Sequence, residues 1–139
     1  MKIIIEGIPV SQLRPRAVRM GKGVRMYDPK KTSDYKKYVR LSARQQYKGE
    51  PLKKALTVEM DIYREIPKST SNKRRLMKNE KEIRPIVRPD VDNYTKGILD
   101  ALNGIAYKDD SQIVDLIARK YYSDNPRVEI SIRETIIQN

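Results

Sequence analysis

The chain has 139 residues and a formal net charge of +12, with 30 Lys and Arg against 18 Asp and Glu. It contains no cysteine and no histidine, which excludes disulfides, thiolate metal sites, imidazole bases and histidine–metal sites. Any chemistry has to come from carboxylates, Lys, Ser, Thr, Tyr or a hard, oxygen-bound metal such as Mg²⁺.

The length suggests a single domain over residues 1–139, large enough to bury roughly two-thirds of its unfolded surface. Phe and Trp are absent, so the core rests on Ile, Leu, Val, Met and some of the nine Tyr. The apolar run in "MKIIIEGIPV" is short for a signal peptide, and no segment reaches the about 18 apolar residues of a membrane span. The expectation is a cytoplasmic protein with no membrane partner.

"KIIIEG" reads as a first strand. The Pro- and Arg-rich stretch that follows, through "YDPKKT", carries proline stops and two glycines, which predicts irregular backbone. Thr32 or Ser33 then caps a helix running to about Tyr47, with Tyr35, Tyr38, Val39 and Ser42 at helical spacing. In "ALTVEMDIY", Leu56, Val58, Met60 and Ile62 alternate with Thr57, Glu59 and Asp61, the pattern of a half-buried strand. Residues 67–85 are polar and basic and read as a loop with room for one short helix. Asn93 to Asn103 follows as a helix closed by Gly104 in a left-handed conformation. "SQIVDLIARKYY" and "RVEISIRE" read as strands joined across "SDNP" as a hairpin. The order β-α-β-α-β-β predicts an α+β domain with a mixed sheet. In "QIVDLIARKYY", alternation puts Ile113, Ile117 and Tyr121 on one face and Val114, Leu116 and Ala118 on the other. A second apolar face of this kind would need a partner, and a second copy is the simplest one.

Charge is segregated. Residues 14–48 hold twelve Lys and Arg against two acids, and residues 67–88 hold eight against two. Residues 90–115 reverse the sign, with six Asp and no Glu against two Lys. Pro89 favours extended backbone before it, and in an extended segment Asp90 and Asp92 point the same way. Asp92 also stands where a helix N-cap is expected, with Lys96 one turn above it. Tyr94, Ile98, Ala101, Leu102 and Ile105 form the apolar stripe of that helix, and Asn93, Lys96, Asp100 and Asn103 its polar side. A second pair, Asp109-Asp110, precedes the next strand and could bring a third carboxylate to the first two.

Each feature has an ordinary reading: Asp92 as a cap, Lys96–Asp100 as an i, i+4 surface pair, Asp109-Asp110 as a turn. Together the like charges would repel unless something positive sat among them. Three carboxylates without histidine describe a Mg²⁺ site that keeps several waters, with Mn²⁺ as a substitute, and its chemistry suits phosphodiester hydrolysis. A neighbouring lysine stabilises charge in such a transition state.

"RPDVDNYTKGILDALNGIAYKDDSQIVDL" resembles the core of the RusA family of Holliday junction resolvases, small endonucleases of phages and prophages. It has Asp-x-Asp-Asn, a Lys four residues beyond the second Asp, Asp-Ala-Leu on the helix and Asp-Asp-x-Gln-Ile ahead of a strand. "RPR" near the start, "YDPKKTSDY" and "IPKSTSNKRR" add weaker likeness; a tryptophan often found in the last is absent. The resemblance implies a homodimeric, Mg²⁺-dependent enzyme that makes paired nicks in four-way DNA junctions. It also implies that Asp90, Asp92 and Asp110 bind the metal and that Lys96 is the catalytic lysine. Arg14, Arg16, Arg19, Lys22 and Arg25 form one basic run, and Lys73, Arg74 and Arg75 a second. With Arg88 they are the candidate contacts to the DNA backbone. Lacking Phe and Trp, the chain suits duplex or junction backbone better than stacked single strands. No small-molecule cofactor is expected. The competing readings are a noncatalytic nucleic-acid-binding module, whose acids only cap a helix and balance charge, and an RNA-processing nuclease with the same site.

Overall fold

In the computed structural model, which describes residues 1–136, the chain runs β1 (Lys2–Glu6), β2 (Arg16–Met20), β3 (Gly23–Tyr27), α1 (Lys30–Gln46) and β4 (Leu56–Glu65). It continues through α2 (Asn72–Asn79), α3 (Val91–Ala101), a 3-10 turn at Asp110–Gln112, β5 (Ile113–Ser123) and β6 (Arg127–Glu134). The domain is α+β with a mixed four-stranded sheet, as the pattern predicts. Among the described residues no helix is long and apolar enough to cross a membrane.

β4 takes the centre because one of its faces is the most completely apolar. Leu56, Val58, Met60 and Ile62 lose all solvent contact. The strand order is β1-β6-β4-β5, with β4 parallel to β5 and antiparallel to β6. The expected hairpin of the last two strands is therefore not formed: β4 lies between them. A three-residue connection suffices for this crossing. Two strand spacings are about 9.6 Å, and each extended residue reaches about 3.3–3.6 Å. The connection is pinned from α2. Asn79 exchanges two hydrogen bonds with Asp124, at 2.8 and 2.9 Å, and Arg75 pairs with the same carboxylate. Ser71 starts α2, its hydroxyl accepting from the Arg74 amide at 3.4 Å.

Helices α1 and α3 cover one face of the sheet. Val39 and Ala43 of α1, with Tyr94, Ile98 and Leu102 of and after α3, join Ile3, Ile5, Val58, Met60, Ile130 and Ile132 in one core. The edge strand β1 is closed by a side chain. The Gln46 amide accepts from the Ile4 amide at 2.8 Å and donates to the Ile4 carbonyl at 2.7 Å, satisfying backbone groups that an edge leaves open.

Two expectations about β5 need correction. The register slips between Leu56/Ile113 and Thr57/Asp115, so Val114 is an extra residue in β5. A bulge of this kind inverts the alternation. Ile113 therefore turns inward against the core, while Ile117 and Tyr121 face outward beside Glu59 and Tyr63. Nor is the outer face apolar. Arg119 bridges Glu59 and Asp61 at 3.0 and 3.1 Å, Glu129 pairs with Lys2 and Arg127, and Tyr63 stacks on Tyr121 at 5.3 Å. The exposed apolar surface of β5 is confined to Val114, Leu116 and Ile117 on its free edge.

The segment expected to be irregular instead holds the antiparallel hairpin β2–β3, with Met20 opposite Gly23 across a turn at Gly21-Lys22. Gly21 has φ +58°, a conformation that glycine adopts without strain.

Met60→Ala should cost about 2–5 kcal/mol, because it opens a cavity at the centre of the sheet. Leu76→Ala, at a side chain 59% exposed on α2, should stay within about 0.5 kcal/mol. Urea unfolding of both variants measures the contrast.

Candidate active site

The chain enters α3 under restraint. Lys120 donates to the carbonyls of Val87 and Pro89, both at 3.0 Å, and Arg64 donates to the carbonyl of Arg88 at 2.9 Å. Three consecutive carbonyls are thus held by cations from β5 and β4. Asp90 follows in extended conformation (φ −70°, ψ 152°) and is itself the N-cap residue, with its side chain making no capping bond. Asp92 was the expected cap. It instead lies in the first turn, because the fixed 87–89 backbone lets the helix begin at Val91. Both carboxylates are free of capping duty.

The far end of α3 is equally fixed. The buried Tyr107 hydroxyl donates to the Leu99 carbonyl, and the Gly104 amide donates to the Tyr107 carbonyl at 2.7 Å. Gly104 takes φ +80°, the left-handed conformation expected of it. The Asp110 amide then donates to the Asn103 side chain at 2.9 Å, which sets Asp110 beside the last turn of α3. The two acids before β5 divide their roles. Asp109 caps the 3-10 turn: its carboxylate accepts from the Ser111 amide at 3.2 Å, and Gln112 returns a bond to the Asp109 amide at 2.9 Å. The hydrogen bond from Ser111 holds the Asp109 carboxyl below its ordinary range. Asp110 keeps its carboxylate unpartnered.

Lys96 lies between these acids and is not the partner of Asp100. Asp100 pairs with Lys36 of α1 at 2.9 Å, and the same ammonium pairs with Asp28 at 2.8 Å. Gln12 completes this network, donating to Asp28 at 3.0 Å, while its backbone amide donates to the Asn93 carbonyl. Gln12 also packs on Gly97, where an added Cβ would meet it at 3.5 Å. Among the described residues, the side chains of Asp90, Asp92, Lys96 and Asp110 have neither a salt-bridge nor a hydrogen-bond partner, and all four are exposed. Asp28, Lys36 and Asp100 are committed to one another, whereas these four are not.

Two grooves meet along Lys96 and Asp110. One, of about 310 Å³, adds Asp92, Thr95, Leu99 and Leu116. The other, of about 420 Å³, adds Asp100, Lys36 and the hairpin base at Pro15, Met26 and Tyr27. Asp90 lines an adjoining depression with Arg14 and Arg88. The acids are strung along α3, and among the described residues no three acids gather into a metal cage. Asp92 and Asp110 share one groove and Asp90 lines the adjoining one, so the expected convergence of the three carboxylates is not formed among the described residues, and waters and substrate phosphates would have to complete the shell of a Mg²⁺ bound here.

A family model for the endodeoxyribonuclease RusA matches residues 6–133. The chain belongs to the RusA endodeoxyribonuclease family. The match takes in the hairpin, α3 and all of the partner-free residues. The chain is also similar to the uncharacterized protein YqaN of Bacillus subtilis (strain 168), with 48% identity over 137 residues, 96% of each chain. As a RusA family protein it is a phosphodiester hydrolase acting on DNA, and the family implies junction-resolving endonucleases.

The structure separates the other basic candidates. Arg14, Arg16, Arg19, Lys22, Arg25, Lys73, Arg74 and Arg88 are exposed, whereas Arg75 pairs with Asp124 and also donates to the Pro67 carbonyl at 3.3 Å. Lys36, Lys120 and Arg64, which shape the site, carry no local signal in the sequence. Their partners lie 8 to 64 residues away and include backbone carbonyls.

The Lys36 network gives stability a pH dependence. The hydrogen bond from Lys36 lowers the Asp28 pKa. Burial works against the Lys36 charge, but the bonds to Asp28 and Asp100 more than offset it and raise the Lys36 pKa. Asp28 therefore contributes stability that is complete above its unfolded pKa, about 3.9, and is lost as pH falls through the depressed folded value. Lys36 contributes stability that is complete below about 10.4 and is lost as pH rises through its raised value. Asp28→Asn should lower stability at neutral pH and flatten part of the acid limb, as read from urea midpoints across the acid range.

Proposed function

We propose that the chain resolves four-way DNA junctions by paired, symmetric nicks, using Mg²⁺ held by Asp90, Asp92 and Asp110, with Mn²⁺ as a substitute. The observation that carries this reading is the set of partner-free side chains along α3: three carboxylates and one lysine in a chain of net charge +12. When bound, the metal supplies Lewis-acid polarisation of a phosphoryl oxygen and a more acidic water. The remaining work falls to the chain. The α3 N-terminus favours a phosphate through its free amides and dipole. Lys96 places an uncommitted ammonium where charge develops on the phosphoryl oxygens. Lys120 and Arg64 fix the backbone that carries Asp90, so its carboxylate would be set for the metal with little reorganisation. Arg88 and the basic hairpin hold the flanking backbone.

Two symmetric nicks in one encounter require two active sites about a two-fold axis, and a homodimer supplies them. The free edge of β5 supports this assembly. β5 has no strand beyond it, and although Arg84 donates to its Lys120 carbonyl at 3.1 Å, it exposes Val114, Leu116 and Ile117 beside the groove of Asp92 and Lys96. An apolar open edge is a pairing surface. A phage or prophage setting and a cytoplasmic location complete the proposal.

Asp92→Asn should abolish Mg²⁺-dependent cleavage of a synthetic four-way junction while retaining binding. Lys96→Ala should slow it by about 3–4 kcal/mol of transition-state stabilisation. Single-turnover rates with mapped nick positions measure both. Tight binding by the wild type with no cleavage in Mg²⁺ or Mn²⁺ would overturn the nuclease mechanism in favour of a binding module. Preferential cleavage of RNA hairpins would move the substrate to RNA.

The dimer is checked by mass. Sedimentation should give about twice the 16.2 kDa of the chain, and charged substitutions at Leu116 and Ile117 should return it to a single chain. A strict monomer that still nicks both strands together would refute the assembly.

A further inference from the structure

We propose that the β2–β3 hairpin is a wedge, with apolar side chains near its tip entering the exchange point of the junction while its cations hold the surrounding phosphates. This rests on the junction reading above and assigns the hairpin a role beyond charge.

All ten strand residues of the hairpin are exposed. They include Val18, Met20, Val24 and Met26 at 40, 58, 67 and 58% exposure. The register places Val18 and Met20 with Arg16 and Arg25 on one face, and Val24 and Met26 with Arg19 on the other. Each face therefore pairs apolar surface with cations. An isolated two-stranded ribbon is marginal in water, and exposed Val and Met on both of its faces suit a surface that meets a partner.

Charge selects the partner. From residue 13 to residue 27 there are five cations and no acid. A second hairpin docking on this one would bring like charges together, whereas DNA offers the opposite sign. A β-ribbon fits a DNA groove, and methionine is among the side chains that insert between base steps. The exchange point, where stacking is already interrupted, forfeits the least on insertion.

The hairpin is also aimed. Its base is fastened by the Gln12–Asp28–Lys36 contacts and by the Leu13 amide, which donates to Thr32 at 3.1 Å. Pro15, Met26 and Tyr27 at that base wall the groove containing Lys96 and Asp110. A hairpin seated at the exchange point would bring this groove to the phosphates beside it.

The test uses a four-way junction carrying 2-aminopurine at the exchange point or in the middle of an arm, with metal withheld. Wild type should bind and raise the fluorescence at the exchange point only. Met20→Ser combined with Val24→Ser, the two apolar positions that flank the turn, should bind but lose that rise, with an unchanged thermal midpoint because both side chains are exposed. Met20→Ser alone provides a second variant should the first fail to fold. Arg19→Gln with Arg25→Gln should retain the rise at saturation and reduce the slope of log affinity against log salt by about 1.8. An undiminished rise in the folded Met20/Val24 variant, or an equal rise in the arm, would overturn the wedge alone and leave the resolvase reading standing. A fall of that variant to monomer mass would make the patch a subunit contact and overturn the wedge. Failure of the wild type to bind the junction would overturn the junction reading, and the wedge with it.

Discussion

Leu56, Val58, Met60 and Ile62 of β4 lose all contact with water, and full burial of such a side chain contributes roughly 1.5–3 kcal/mol. A strand so buried on one face needs pairing on both edges and a cover of helices. The antiparallel edge is taken by β6. The parallel edge is taken by β5, and a parallel neighbour demands a long crossover. That crossover carries α2, the 80–89 segment and α3. Because α3 runs back alongside β5, its exposed side faces the turn that opens β5. Asp92, Lys96 and Asp110 share a groove for this reason.

The large positive charge is divided between two uses. Lys36, Arg64, Arg75, Arg119, Lys120 and Arg127 are spent inside the fold, on carboxylates or backbone carbonyls. Lys120 and Arg64 hold the entry to α3, and Lys36 ties α1, α3 and the hairpin base together. The cations left exposed are spread over the surface, and Arg14, Arg16, Arg19, Lys22 and Arg25 of the hairpin region, with Arg88, are among them. A surface of evenly mixed charge would neutralise itself locally. Here the internal pairs remove most local partners and leave a short acidic line on a basic field. That suits a metal ion and a polyanion together.

Each edge strand of the sheet takes a side-chain hydrogen bond at one residue's backbone. β1 is sealed by the Gln46 amide, which spends a side chain to satisfy one residue's backbone groups. β5 receives Arg84 at the Lys120 carbonyl and carries a bulge at Val114, which turns Ile113 into the core and Ile117 away from it. Bulges on edges both bend a strand and interrupt pairing. The groove beside this edge includes Leu116 as well as Asp92 and Lys96, so an assembly formed along β5 would bear directly on the active site.

The sequence alone determined the local patterns. Alternation in residues 56–62 specified β4, the apolar stripe from Tyr94 to Ile105 specified α3, and the motifs of residues 88–116 together carried the resemblance to the family. These are short-range consequences of periods near 2 and 3.6. What only the tertiary structure decided is which residues meet. The hairpin at residues 16–27 was hidden because none of its residues is buried, so no alternation marks it. The crossing of the last two strands over β4 was hidden because a short loop between strands usually means a hairpin. The bulge at Val114 reversed the faces of β5, since one extra residue inverts a period of two. The division between Asp109 and Asp110, and the release of Lys96 from Asp100, depended on Ser111 and Lys36 claiming the spare carboxylates. Pairing of this kind joins residues as far as 64 positions apart. It is set by the packing of β4 and its helices, which no local spacing encodes.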